Sequence, residues 1–207
     1  GAGGRTMLFG NYCHECFGDY MNAVIRCDDD QHDTLIEVNI CCRTGGSGEG
    51  IISKGDNDIL ANVITDLRPT GRQRGYIVFP YGDITGTRIG ENILLSRERG
   101  QPIYYSDITS GRGRPMPRLA DASVNNNVYY CTDDPEWGLD LIQRLRENGK
   151  NSNDIAGRPF DLDLWSDTPI LGREAPFSIE HLHPIFRRTT QWMENEPDTG
   201  GRYALHK

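Results

Sequence analysis

Asp56-Asn57-Asp58-Ile59-Leu60-Ala61-Asn62-Val63-Ile64-Thr65-Asp66-Leu67 is the stretch on which the fold turns. Its apolar residues Ile59, Leu60, Val63, Ile64 and Leu67 fall at i, i+1, i+4, i+5 and i+8. That spacing predicts one face of a helix, ended by Arg68-Pro69. A second helix is predicted over 135–148, with Asp134 as cap, Pro135 in the first position, Trp137, Leu141 and Leu145 as the buried stripe, and Gly149 as the stop. A third is predicted over 184–195, with His183 as cap and Ile185, Phe186, Thr189, Trp192 and Met193 on the apolar face.

Most of what lies outward from the first helix, up to residue 131, reads as short strands rich in Ile, Val, Tyr and Leu. The candidates are Thr6–Phe9, Tyr20–Arg26, Thr34–Cys42, Gly75–Phe79, Asn92–Ser96, Pro102–Ser106 and Val128–Cys131, most of them bounded by Gly, Pro, Asn or Asp. Asp28-Asp29-Asp30-Gln31-His32-Asp33 reads as a solvated hairpin loop, and Gly45–Gly50 as a flexible turn. Residues 107–127 and 150–176 read as loops. No internal repeat stands out. The expected fold is therefore α+β: an antiparallel sheet of short strands with two or three packed helices. A single domain over 1–207 is expected, with a Cys-rich subregion at 11–43, a basic loop-rich middle at 68–118 and a helical C-terminal part at 134–207.

The net charge of -8 is unevenly spread. Residues 68–118 carry nine arginines and four acids, a balance of +5, between flanks of -7 and -6. Arginine's planar fork suits phosphate and carboxylate. Arg72, Arg74, Arg112 and Arg114 are accordingly the candidate binding cations for a phosphate-bearing substrate or nucleic acid. The competing reading pairs these arginines with the acidic flanks. Only three lysines stand against nineteen arginines, a bias seen in toxins that enter a eukaryotic cytosol. A secreted or translocated effector is the compartment this favours. No apolar run is long enough to cross a membrane as a helix. Neither a dinucleotide-binding nor a P-loop motif occurs.

Five of six cysteines lie within residues 13–42. An even count allows disulfides, and Cys13, Cys16, Cys41 and Cys42 together offer four thiolates for a structural zinc. Free thiols are the third alternative.

The remaining candidate site is Glu180-His181-Leu182-His183-Pro184. With Asn195 and His206 downstream, this segment resembles the HNH, or ββα-metal, nucleases. The resemblance covers about the last 30 residues. It implies a divalent metal held by His206 and a carboxylate or histidine of the first motif. It also implies a base, His181 or His183, that activates water against a phosphodiester. The expected activity is thus a small effector-like hydrolase, a metal-dependent nuclease in its sharpest form. Two rivals follow from other residues. The order Cys13 or Cys16, then His181 or His183, then Asn195 or Asp198 is that of papain-like thiol hydrolases. A cysteine-stapled binding module without catalysis accounts for the same composition.

Overall fold

The computed structural model describes residues 6–18, 23–28, 31–46, 48–65, 67, 75–96, 101–105, 116–131, 134, 136–150 and 153–156. All lie in the first of two compact units, Gly1–Pro159; the second, Phe160–Lys207, lies outside them. The predicted helix over 184–195 falls in that second unit.

The chain winds as a parallel β-solenoid. In the first coil β1 (Thr6–Phe9), β2 (Tyr12–Gly18) and β3 (Ala23–Cys27) each start a different sheet. The next coils repeat the order with β4 (Thr34–Glu37), β5 (Ile40–Gly46) and β6 (Glu49–Ser53), then β7 (Asp58–Leu60), β8 (Val63–Thr65) and β9 (Gly75–Phe79). The fourth coil is β10 (Arg88–Gly90), β11 (Ile93–Ser96) and β12 (Gln101–Tyr105). A fifth begins with β13 (Ser123–Asn125) and β14 (Val128–Cys131), then departs into α1 (Leu139–Glu147) before β15 (Ile155–Ala156). Sheet A is β1-β4-β7-β10-β13, sheet B is β2-β5-β8-β11-β14-β15, and sheet C is β3-β6-β9-β12. Every pairing between the described strands is parallel.

This overturns the antiparallel α+β expectation, and α1 is the single α-helix among the described residues. The predicted helix over 56–67 is two three-residue strands, β7 and β8, that turn a corner at Ala61-Asn62. Thr34–Cys42 likewise splits into β4 and β5, and the acidic segment 28–33 leads to a parallel neighbour, not into a hairpin. The glycine-rich stretch lies partly inside β5 and β6, and residues 107–127 contain a 3-10 turn at Leu119–Asp121 and β13.

What stacks the coils is a buried column of side-chain amides. Each corner between sheets A and B holds a left-handed residue followed by an amide side chain: Gly10-Asn11, Val38-Asn39, Ala61-Asn62, Glu91-Asn92 and Asn126-Asn127. Asn62 shows the rule. Its Oδ1 accepts from Asn39 N at 2.9 Å and from Asn39 Nδ2 at 2.9 Å. Its Nδ2 donates to Ile36 O at 3.0 Å and to Asn92 Oδ1 at 3.0 Å. Identical pairings link Asn11 to Asn39, Asn92 to Asn127, and Asn127 to Asp154. Buried polar groups must be paired, and each interior rung satisfies the turn of the coil before it while its own backbone N–H is satisfied by the rung after it. Asp154, which can only accept when ionised, ends the column; its Oδ2 takes the hydroxyl of Tyr129 at 2.9 Å.

Three residues before each of the five asparagines and two residues after it, side chains point into the solenoid: Leu8 and Cys13, Ile36 and Cys41, Ile59 and Ile64, Ile89 and Leu94, Val124 and Tyr129. Ile25, Ile51, Ile77 and Ile103 stack in register on sheet C. β-branched residues suit this pleated surface, where each meets its copy one coil away.

The far end is closed by the predicted 135–148 helix, whose regular part begins at Leu139. Trp137 packs edge-on against Tyr76 at 5.2 Å and Tyr129 at 6.4 Å, beside buried Leu141, Ile142 and Leu145. Gly138 must be glycine: it has φ +94, and a Cβ there would lie 2.7 Å from Tyr129 Cβ. At the other terminus Gly149 N donates to Arg146 O at 2.9 Å and Lys150 N to Leu145 O at 2.9 Å, a Schellman motif.

Candidate functional site

Parallel sheets are ordinarily covered on both faces. Sheets B and C obey this in their middle coils: the outward Ile40, Cys42, Val63, Thr65, Ile93 and Leu95, and Ile52 and Val78, are buried, while Val128 and Tyr130 toward one end are half-buried and Arg26 at the edge of sheet C is exposed. Sheet A does not. Register aligns its outward side chains in two columns, Met7-Leu35-Asp58-Arg88-Ser123 and Phe9-Glu37-Leu60-Gly90-Asn125. Met7 is 62 % exposed and Phe9 54 %.

A groove of about 550 Å³ runs along this face, bounded by the connections that enter sheet A from sheet C. Asp33, Asp56 and Asp58 line it with Thr34, Thr85 and Arg88. Arg88 pairs with Asp58 through its guanidinium, and its backbone N donates to Asp58 Oδ1 at 3.1 Å. Beside the groove Asp83 accepts from Thr85 N at 2.9 Å, and hydrogen bonds from Thr85 hold its carboxyl below the usual range. The groove is thus acidic and rich in acceptors, with one guanidinium already engaged.

The predicted cations fare differently. Arg72, Arg74, Arg112 and Arg114 lie outside the described residues, as do Arg68, Arg97 and Arg99. The two described members of the basic stretch are both ion-paired: Arg88 with Asp58, and Arg118 with Asp121 at 2.8 Å. For these two the charge bias is internal pairing. Glu180, His181, His183, Asn195 and His206 also lie outside the described residues.

The four predicted zinc ligands are described. Cys13 and Cys41 are direct neighbours on adjacent coils of sheet B, both on the inner side, and alternation turns Cys42 outward. All six cysteines are free thiols in this structure, and among the described residues no group of three His, Cys, Asp or Glu is placed to hold a metal ion. Burial pushes the thiols of Cys13 and Cys16 up, away from the reactive thiolate form. Asp28, which opens the acidic segment, pairs with Arg26 at 2.8 Å and with the Lys54 ammonium. Lys54, whose side chain is 2 % exposed, also donates to Tyr81 OH at 2.9 Å. One of the three lysines is therefore a structural cation.

Sequence reasoning missed Glu49. It opens β6, is 2 % exposed, and its Oε2 has no hydrogen-bond partner. Burial pushes its carboxyl up from 4.5 to about 7, against smaller opposing contributions from its own backbone N–H and Arg26. The folded state therefore binds this proton more tightly than the unfolded chain. Stability from Glu49 is complete below about pH 4.5 and is lost as pH rises through about 7. The loss reaches up to about 3 kcal/mol. Denaturant titrations at pH 5 and pH 8 should show wild type weakening more than Glu49→Gln; equal slopes would refute the assignment.

The chain matches no family model, no curated protein and no solved structure.

Proposed function

We propose that this chain is a solenoid binding module that engages an extended, hydroxyl-rich polymer, an oligosaccharide in chemical class, along sheet A. The observation that carries this is the asymmetry of the three faces in the middle coils: there the outward positions of sheets B and C are buried, and those of sheet A are half-buried or exposed. Binding sites on solenoids form on such repetitive faces, where insertions between coils gather. Strands spaced about 4.8 Å apart offer side chains at a polymer-like repeat along the axis. Carboxylates and threonine hydroxyls accept from ligand hydroxyls, Arg88 donates, and Met7 and Leu35 meet the apolar C–H faces of a ring.

An acidic groove disfavours phosphate, so a phosphate-bearing substrate is the weaker reading for this face. The nuclease reading depends on Glu180, His181, His183, Asn195 and His206, and the phosphate-binding expectation on Arg72, Arg74, Arg112 and Arg114. All of these are outside the described residues, and no feature of the described coils adds support.

The test is calorimetric titration against neutral, basic and acidic oligosaccharides. Binding to at least one class is expected, with Asp33→Asn/Asp56→Asn weakening it tenfold or more, about 1.4 kcal/mol, at unchanged melting temperature. Asparagine tolerates the left-handed backbone of Asp33, φ 56, so the fold should be unaffected. No binding in any class, or wild-type affinity in the double variant, overturns the reading.

A further inference from the structure

We infer that Cys13 and Cys41 are a thiol–disulfide exchange pair, closed into a bond between coils one and two by a low-molecular-weight disulfide such as oxidised glutathione. The pairing does not depend on the proposed ligand.

Register selects the pair. Cys13 lies directly opposite Cys41 on the neighbouring coil of sheet B, and both side chains take the inner side. Neighbouring strands stand about 4.8 Å apart. That falls inside the Cα separation of roughly 4.4–6.8 Å that a disulfide spans. The other described cysteines face different residues: Cys42 faces His14, Cys16 faces Thr44, Cys27 faces Ser53 and Cys131 faces Ser96. Pairs close in sequence fail on strand geometry. Cys13 and Cys16 are three residues apart on one strand, about 10 Å at a rise of about 3.3 Å per residue, and too far to bridge. Cys41 and Cys42 point to opposite faces.

The same geometry decides what kind of bond forms. Side chains in parallel register leave the two Cβ atoms at about the strand spacing, beyond the roughly 3.5–4.5 Å of a relaxed disulfide. Closure must draw the strands together, and strained disulfides are the readily reduced ones. The bond therefore opens and closes with the surrounding redox poise and is no permanent staple.

Burial, and after it the neighbouring sulfur of Cys13, pushes the Cys41 thiol well above its ordinary value, and burial also raises Cys13. The thiolate is the attacking form, so exchange is slow near neutrality and quickens as pH rises. Cys13 is the less buried of the two and reacts first. Its thiolate attacks one sulfur of the small disulfide, releases one small thiol and leaves a mixed disulfide on Cys13 Sγ. The Cys41 thiolate then attacks Cys13 Sγ and expels the second small thiol. Two cysteines are oxidised, one small disulfide is reduced, and the two cysteine protons pass to the two released thiols.

The bond lies two residues beyond the Asn11–Asn39 rung and ties the same two coils covalently. Those coils also bring Thr6, Met7, Asp33, Thr34 and Leu35 to the groove on sheet A. Closure fixes that part of the groove in one arrangement.

Incubating the folded full chain with oxidised glutathione, then alkylating, digesting and mapping crosslinks by tandem mass spectrometry, tests this. A Cys13–Cys41 crosslink is expected, and it should reopen without denaturant when reduced glutathione replaces the oxidised form. Cys41→Ala should instead trap glutathione on Cys13; a folded variant that traps none refutes the exchange. Absence of any crosslink in wild type, a bond joining other cysteines, or a Cys13–Cys41 bond that reduced glutathione cannot open overturns the inference. Should Cys41→Ala fail to fold, the wild-type crosslink map and its reversal decide alone.

Discussion

Asn62→Ala is expected to cost about 3–5 kcal/mol, measured by denaturant unfolding, because a buried N–H loses its partner and three further buried groups each lose a bond at once. Asn39 N–H donates to Asn62 Oδ1 and Ile36 C=O accepts from Asn62 Nδ2. Alanine serves neither. Two further groups, Asn39 Nδ2 and Asn92 Oδ1, each drop one of two bonds. The size of the effect should fall along the column toward its solvent-exposed end, so Asn11→Ala is the internal control and should cost no more than half as much. Equal losses at Asn11 and Asn62 would show that the rungs act only through local turn propensity.

Trp137→Ala is the second large effect, expected at about 3–5 kcal/mol as for large aromatic deletions from a core. Here the consequence extends beyond a cavity. Trp137 is the contact by which the cap meets Tyr76 of coil three and Tyr129 of coil five. In a solenoid each coil contacts only its neighbours, so losing a cap exposes the terminal interface and frays the stack from that end. Hydrogen exchange should therefore show faster amides in β12 and β14 than in β4 and β5. Uniform acceleration would argue that the domain melts as one unit.

Several strands were legible in the sequence, and so was the closing helix, because each carries its own apolar pattern. Gly75–Phe79 and Val128–Cys131 needed no context. The architecture was not legible by the same means. Two three-residue strands joined by a two-residue corner place apolar residues at i, i+1, i+4 and i+5, which is also what a helix face produces. Ile59-Leu60-Ala61-Asn62-Val63-Ile64 is the case in point. The signal that separates them is the apolar-x-x-Asn-x-apolar hexad, found at Leu8–Cys13, Ile36–Cys41, Ile59–Ile64, Ile89–Leu94 and Val124–Tyr129. It hides from a search at fixed period because successive amides are 28, 23, 30, 35 and 27 residues apart. The connections absorb the variation and the corner does not. Nor does the groove announce itself: Asp33, Asp56 and Asp58 come together only because successive coils bring their entry turns side by side. The orphaned Glu49 is invisible for the same reason, since burial is a property of the stack.

The amide column also has an electrical sense. Asn11, Asn39, Asn62, Asn92 and Asn127 all donate in one direction, toward Asp154. Their dipoles add as peptide dipoles add along a helix, with the positive pole at the end where the donors point. A carboxylate stands at that pole. The solenoid is therefore polarised through its interior, and its two ends are chemically unlike before any surface charge is counted. A coil grafted in the reverse sense would set donor against donor. Any lengthening of this scaffold, natural or engineered, must keep every new amide facing the same way.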